Sequence, residues 1–372
     1  MKPLSTSLLT VATLSLAACG GQKSAEQTAN SAVQPKAEVP VVEVALPADK
    51  FDLSHWKIAV PTDVDGDGKV DEIDVAELQS YSHPDYFYLN SDGNLVFAAP
   101  NKAITTANSS NTRSELHQMY RGTDTSIDTY DPANNFGLAA HPTPEAFAAI
   151  GGRMEATLKV DHVSENAKYA DKNPAYSVVI GQIHAGKDAE LVAQGEGYGW
   201  GNEPLKIYYK KWPHHDTGSV FWNYELNLEK ENPKRRDISH VVWGNDWGNS
   251  ADPGASGLAL GDEISYVVNV YENVMKLTFT AEGKEPVEFT INLTDNVDAY
   301  GEVNPDDHPH GYSGDTLFFK AGAYNQCSTK DDPGFWYAAC PGTGDWETDK
   351  ANGDYVQVTF SKIELSKPEP IE

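Results

Sequence analysis

Over its C-terminal third the chain repeatedly places an apolar residue at every second position. Ile264, Tyr266, Val268 and Val270 alternate with polar neighbours, and after a Glu272-Asn273 turn Met275, Leu277 and Phe279 do the same. Val287, Phe289, Ile291 and Leu293 follow, and Val356, Val358 and Phe360 close the series. A period of two puts these side chains on one face of each strand, and short Gly, Asn and Asp turns join neighbouring strands antiparallel. Each strand must then bury one face against a second layer, so the pattern predicts an all-β, antiparallel sandwich. Helical signals are few; Pro144-Glu145-Ala146-Phe147 reads as one short turn. The 372 residues suffice for one large β domain or two small ones, and no internal repeat or second domain is visible.

The charge balance excludes some partners. A formal net charge of −27 repels phosphate backbones, so nucleic acid is not expected as a ligand. The same field repels an acidic polysaccharide at long range. Binding one requires a locally basic cleft, or salt that screens the field.

The N-terminus reads as a targeting segment. Lys2 supplies a short positive region, and the apolar stretch from Leu8 to Ala18 is too short to span a bilayer. It ends in Leu16-Ala17-Ala18-Cys19-Gly20, which resembles a bacterial lipobox. That resemblance implies a signal peptide over 1–18, lipid on Cys19 and a polar tether over 19–47. A folded domain over 48–366 and a tail over 367–372 complete the division. Gly20 after the cysteine points to an outer-membrane lipoprotein facing periplasm or exterior, attached to the membrane through its lipid alone. If Cys19 is incidental, the protein is simply secreted. With Cys19 lipidated, Cys327 and Cys340 remain as an even pair in an oxidising compartment. A bond between them would stabilise the fold by about 3 kcal/mol; two free thiols are the alternative.

Three segments carry chemistry. In Asn111-Thr112-Arg113-Ser114-Glu115-Leu116-His117-Gln118, the side chains of Arg113, Glu115 and His117 share one strand face. In Val178-Val179-Ile180-Gly181-Gln182-Ile183-His184, Gln182 and His184 share a face and Ile183 can enter the core. In Phe318-Phe319-Lys320-Ala321-Gly322-Ala323-Tyr324-Asn325-Gln326, the shared face holds Lys320, Gly322, Tyr324 and Gln326, with Gly322 leaving room for a ligand. Any one of these reads as the solvated side of a half-buried strand. The three together, rich in Arg, Gln, His, Lys and Tyr, describe a concave binding face.

Together they resemble family-seven polysaccharide lyases, the alginate lyases. Members carry an R-[ST]-E-[LV]-R strand, a Q-[IV]-H strand and a Y-F-K-A-G-x-Y-N-Q strand. Here these read Arg113-Ser114-Glu115-Leu116-His117, Gln182-Ile183-His184 and Phe319-Lys320-Ala321-Gly322-Ala323-Tyr324-Asn325-Gln326, in the family's order. Ser54-His55-Trp56-Lys57, then Val60-Pro61, also looks like the family's start. The resemblance implies a β-jelly roll, and cleavage by β-elimination of the 1,4-glycosidic bonds of alginate, the polymer of mannuronate and guluronate. It implies no cofactor for catalysis, alginate or its oligosaccharides as partner, and a monomer. Elimination needs the uronate carboxylate neutralised, a base for the C5 proton and an acid for the leaving O4. Arg113 and Gln182 suit the first task by charge and amide donation. By resemblance Tyr324 is the acid and also the mannuronate base, and His184 is the guluronate base. Glu115, Lys320, Asn325 and Gln326 would bind substrate or support their neighbours. His117 replaces the family's Arg, giving a weaker, pH-dependent charge. Ile183 points toward guluronate-containing substrate.

Other motifs compete for attention. Asp63, Asp65, Asp67, Asp71 and Asp74, with Gly68 at the sixth position, match a calcium loop, or form an acidic surface loop that binds nothing. Overlapping them, Glu72-Ile73-Asp74-Val75-Ala76-Glu77 resembles the paired carboxylates of laminarinase-like hydrolases. Alternation of Lys206, Tyr208 and Lys210 suits a groove for an acidic sugar, or a protected edge strand. A non-catalytic lectin on the same fold is a third reading. Trp212-Pro213-His214-His215 reads as a connecting loop.

Overall fold

A computed structural model describes residues 45–195 and 198–371. The expected signal segment, Cys19 and most of the expected tether lie outside the described residues. The first strands are β1 (Trp56–Val60), β2 (Asp71–Ile73), β3 (Phe87–Leu89), β4 (Leu95–Pro100), β5 (Asn111–Gln118), β6 (Phe136–Gly137), β7 (Ala149–Ile150) and β8 (Gly152–His162). There follow β9 (Ser177–Gly186), β10 (Leu205–Lys210), β11 (Ser219–Glu225), β12 (Asp237–Trp243), β13 (Glu263–Tyr271), β14 (Val274–Ala281), β15 (Val287–Asn292), β16 (Thr316–Ser328) and β17 (Tyr355–Ser366). Helices are short: α1 (Val75–Leu78), α2 (Ala189–Gln194) and α3 (Trp346–Asn352). The Pro144–Ala146 turn is a single 3₁₀ turn.

Two sheets face each other. One runs β15-β14-β13-β8-β17-β4-β3 and contains every strand read from the C-terminal alternation. There Ile264, Tyr266, Val268 and Val270 are buried while their neighbours Ser265 and Val267 are only partly so. The two-residue turn between Tyr271 and Val274 holds Glu272 at φ +56°, the left-handed conformation that such tight hairpins demand. The other sheet runs β12-β11-β10-β9-β16-β5-β1-β2, with β6 and β7 attached beside β16. Among these strands, every pairing except β6 with β7 is antiparallel. A continuous core between the sheets includes Trp56, Phe97, Leu158, Trp222, Tyr266 and Phe360. This is the antiparallel jelly-roll sandwich.

The three chemical segments become neighbours because β9, β16 and β5 are adjacent. Lys320 pairs with Gln182 on one side and His117 on the other, and Tyr324 pairs with Arg113. Between Ala321 and Tyr324 the ladder with β9 slips by one residue, a bulge. Gly322 occupies it at φ +143°, and a Cβ there would lie 2.4 Å from the Ser114 carbonyl oxygen and 2.9 Å from Glu115 Cα. Its missing side chain admits the neighbouring strand, not a ligand as the sequence suggested.

The acidic stretch after β1 divides among three tasks. Asp63, Asp65 and Asp67 gather their carboxylates within 4.8 Å of one another. Asp71 instead accepts from Thr62 Oγ1 at 2.6 Å and from the Val64 amide. Asp74 caps α1 and pairs with Arg121 at 2.7 Å. The five-ligand calcium set is therefore not assembled, because two members are spent on local structure. The hydrolase pair fails for a similar reason. Glu72 lies on β2, paired with Lys57 at 2.7 Å, whereas Glu77 is exposed on α1.

Candidate active site

The concave face of the β12-to-β2 sheet carries a cleft of about 950 Å³ that crosses the strands. Eight basic and six acidic side chains line it among the described residues, a local positive excess on a strongly acidic protein. Arg113, Glu115, His117, Gln182, His184, Lys206, Lys320 and Tyr324 all reach it.

Glu115 is the hub. Arg113 Nη1 donates to it at 2.9 Å, Lys320 Nζ pairs with the same carboxylate, and Gln182 Nε2 donates to its other oxygen. Burial would push Glu115 up, but Lys320 and Arg113 outweigh it and hold the carboxyl below the usual range. Burial brings Lys320 down to about 8, although Glu115 opposes the shift. Arg113 Nη2 also donates to Ser109 Oγ at 3.1 Å, while its buried Nε has no partner. The guanidinium lies 3.8 Å above the Tyr324 ring, and the Tyr324 hydroxyl is 3.4 Å from Ser109 Oγ. Val179, Tyr208, Phe221 and Trp247 pack the tyrosine from behind.

His184 stands at the other end of the strand triplet, its Nδ1 2.8 Å from the Ala185 carbonyl oxygen. Its Nε2 faces Glu203 Oε1 at 3.1 Å. From there acidic and basic side chains alternate. Glu203 lies 3.5 Å from Lys206, Lys206 lies 3.4 Å from Glu225, and Glu225 meets Arg235 at 2.6 Å. Burial works against charge on Lys206, but Asp237, Glu203 and Glu225 hold its pKa well above normal. The two lysines of the floor thus differ: Lys206 stays charged, Lys320 only up to about pH 8.

His117 behaves unlike the pH-dependent cation expected of it. It is buried and stacked on Phe318 at 4.1 Å, with Nε2 unpartnered. Burial, then Lys57 and Lys320, push its pKa well below the usual value, so it is neutral at working pH.

Four residues expected in the binding face do not line it. Asn325 turns inward, donating to Asn101 Oδ1 at 3.0 Å and accepting from the Cys327 amide at 2.9 Å. Gln326 folds onto the Tyr324 carbonyl oxygen at 3.3 Å. Tyr208 is covered by Phe221 and Trp247. Lys210 spends its ammonium on the carbonyls of Asn173 and Trp247, at 2.6 and 3.2 Å. Asn325 follows the strand alternation in turning away from the face of Tyr324, and Tyr208 and Lys210 are covered by neighbouring groups.

Sequence reasoning missed Ser109, Glu203, Glu225, Arg235 and the 335–337 stretch. Glu225 ends an aromatic-rich strand, and Lys230, Lys234, Arg235 and Arg236 form a basic run just beyond it. That run was the available signal. Cys327 and Cys340 are disulfide-bonded, with Cα atoms 5.4 Å apart, and their loop forms one wall of the cleft.

Comparison with known proteins gives a consistent result. The family model described as alginate lyase matches residues 51–367. An alginate lyase of Klebsiella pneumoniae is 34% identical over 340 residues, which cover 87% of this chain and 92% of that protein. The crystal structure of the alginate lyase from that organism aligns with a TM-score of 0.66 at 32% identity, over 87% of this chain and 99% of the other. The exolytic alginate lyase AlyA5 of Zobellia galactanivorans aligns with a TM-score of 0.69 at 33% identity, over 88% and 99%.

Proposed function

The chain belongs to the alginate lyase family, and from that premise we infer that it cuts alginate by β-elimination at Tyr324 in the centre of the cleft. The observation that carries this reading is the continuous set Tyr324–Arg113–Glu115–Gln182/Lys320, gathered from three strands onto one floor. Incubation with alginate tests it: ultraviolet-absorbing unsaturated uronate must accumulate, and reducing ends without absorbance, or no product, would sink the reading.

The C5 proton of a uronate is weakly acidic until its carboxylate is neutralised. Arg113 retains a free Nε and a cation poised beside Tyr324, and Lys320 adds charge. One N–H of the Gln182 amide is held by Glu115, which aims the group rather than consuming it. A base then takes the C5 proton, the electron pair forms the C4–C5 double bond, and the C4–O4 bond breaks. The Tyr324 phenol donates the proton that O4 requires. For mannuronate the same tyrosine, as phenolate, takes the C5 proton first. For guluronate the base is His184, whose Nε2 must exchange Glu203 for substrate. No cofactor enters this route.

Two results follow. His184→Ala should slow cleavage of guluronate blocks more than mannuronate blocks, in kinetics on separated blocks; equal losses would remove the split-base scheme. Lys320 sets the alkaline side. Its lowered pKa means the charge is present below about 8 and lost above it, so kcat/KM should fall as pH rises through that value. Lys320→Arg, charged throughout, should move this limb to higher pH; an unmoved limb would exclude Lys320 as its origin.

The lipobox supports membrane attachment through Cys19. Mass spectrometry of the mature N-terminus should find a lipidated cysteine, absent after Cys19→Ser; an unmodified N-terminus would refute it.

A further inference from the structure

The disulfide loop has more to do than close a wall. We propose that it is a uronate-binding subsite, in which Trp336 stacks on a sugar ring of the bound chain and Lys330 receives a carboxylate; this rests on the alginate reading above.

Trp336 is 50% exposed, one of five large apolar side chains so exposed among the described residues. Unlike Val64, Tyr300 and Val303, it opens into the cleft that holds Tyr324. A Trp left in water inside a polar cleft has an apolar face available to the C–H face of a pyranose. Its position is built. The ring stacks on buried Trp247 at 6.2 Å, and Trp247 packs on Tyr208 behind the catalytic tyrosine.

The loop is tied down on both flanks. Ser328 N donates to the Ala338 carbonyl oxygen at 2.8 Å and Lys168 N to that of Ala339 at 2.8 Å. Lys168 Nζ pairs with Asp331 at 2.6 Å, and Lys172 Nζ donates to the Pro333 carbonyl oxygen at 2.9 Å. A platform held this way loses little freedom on binding.

Charge completes the match. Most cations of the cleft already have an acidic partner: Arg113 and Lys320 share Glu115, Lys206 lies between Glu203 and Glu225, and Arg235 has Glu225. Lys330 has no carboxylate partner among the described residues. Its Nζ rests 5.0 Å from the centre of the Phe335 ring, on the same loop as Trp336. An aromatic face and an unspent ammonium on one rigid loop fit a ring that carries an apolar face and a carboxylate. Because the loop is a wall beside the reacting centre, its contacts add affinity without touching the atoms that react.

The test compares the wild-type full chain with Trp336→Ala, Trp336→Phe and Lys330→Met. Absorbance of unsaturated product is followed on alginate and on oligosaccharides of increasing length. Trp336→Ala should raise KM on polymer about tenfold with kcat unchanged, and Trp336→Phe should restore most of it. Lys330→Met should raise KM at low salt and lose that effect at high salt. An unchanged KM in Trp336→Ala, or a fall in kcat alone, would overturn the subsite while cleavage by wild type upholds the lyase reading. Absence of unsaturated product from wild type would overturn both.

Discussion

Tyr324→Phe should yield a folded protein that still binds alginate oligosaccharides and releases no measurable unsaturated product from any block type. The ring keeps its packing against Val179, Tyr208, Phe221 and Trp247, and the Arg113 guanidinium keeps its seat over the ring face. Only the hydroxyl and its contact with Ser109 are lost. In the proposed mechanism that hydroxyl is the acid for O4, and removing a general acid costs about 10²–10⁴ in rate. Where the same phenol is also the base, the loss compounds. Turnover on separated mannuronate and guluronate blocks measures this, with circular dichroism confirming the fold. A folded variant with near-native turnover would take Tyr324 out of the mechanism.

Glu115→Ala should be the most damaging change to stability within the cleft. The carboxylate is 1% exposed and gathers Arg113, Lys320 and Gln182. Without it two nearly buried cations face each other with no counter-charge. Breaking a buried pair from one side costs about 3–5 kcal/mol. Denaturant unfolding reads this directly. Activity should fall with it, because Lys320 loses the partner that opposed its deprotonation and Gln182 loses its aim. A stability loss below about 1 kcal/mol, the value of an exposed pair, would show that solvent already screens the cluster.

The sandwich was legible because half-buried strands alternate, and the C-terminal runs from Ile264 to Phe360 do so cleanly. The same parity placed Arg113, Glu115 and His117, and Gln182 with His184, on the cleft face. It failed where ladders slip. Gly322 marks a bulge against a crowded neighbouring strand, and beyond it Gln326 folds back onto the Tyr324 carbonyl oxygen instead of lining the cleft. Parity also says nothing about what covers a face, so Tyr208 and Lys210 turned out buried under Trp247. The neutrality of His117 depends on burial by Phe318 and on distant lysines, neither adjacent in sequence. Glu203 and Glu225 come from segments with no motif and meet His184 and Lys206 only through sheet pairing. The disulfide was readable by counting cysteines, but the aromatic wall that it closes was not.

The two sheets share one peculiarity of order. In one, β16 lies between β9 and β5; in the other, β17 lies between β8 and β4. Both central places are filled by the last two strands of the chain. A ribosome that has reached only Asp315 has therefore made two sheets each missing its middle strand, with open edges on either side of each gap. Catalysis comes into being all at once, at the end of synthesis, since Tyr324 and Lys320 arrive on the very strand that joins His184 to Arg113. Until those two strands are made, neither sheet can close and the cleft has no floor.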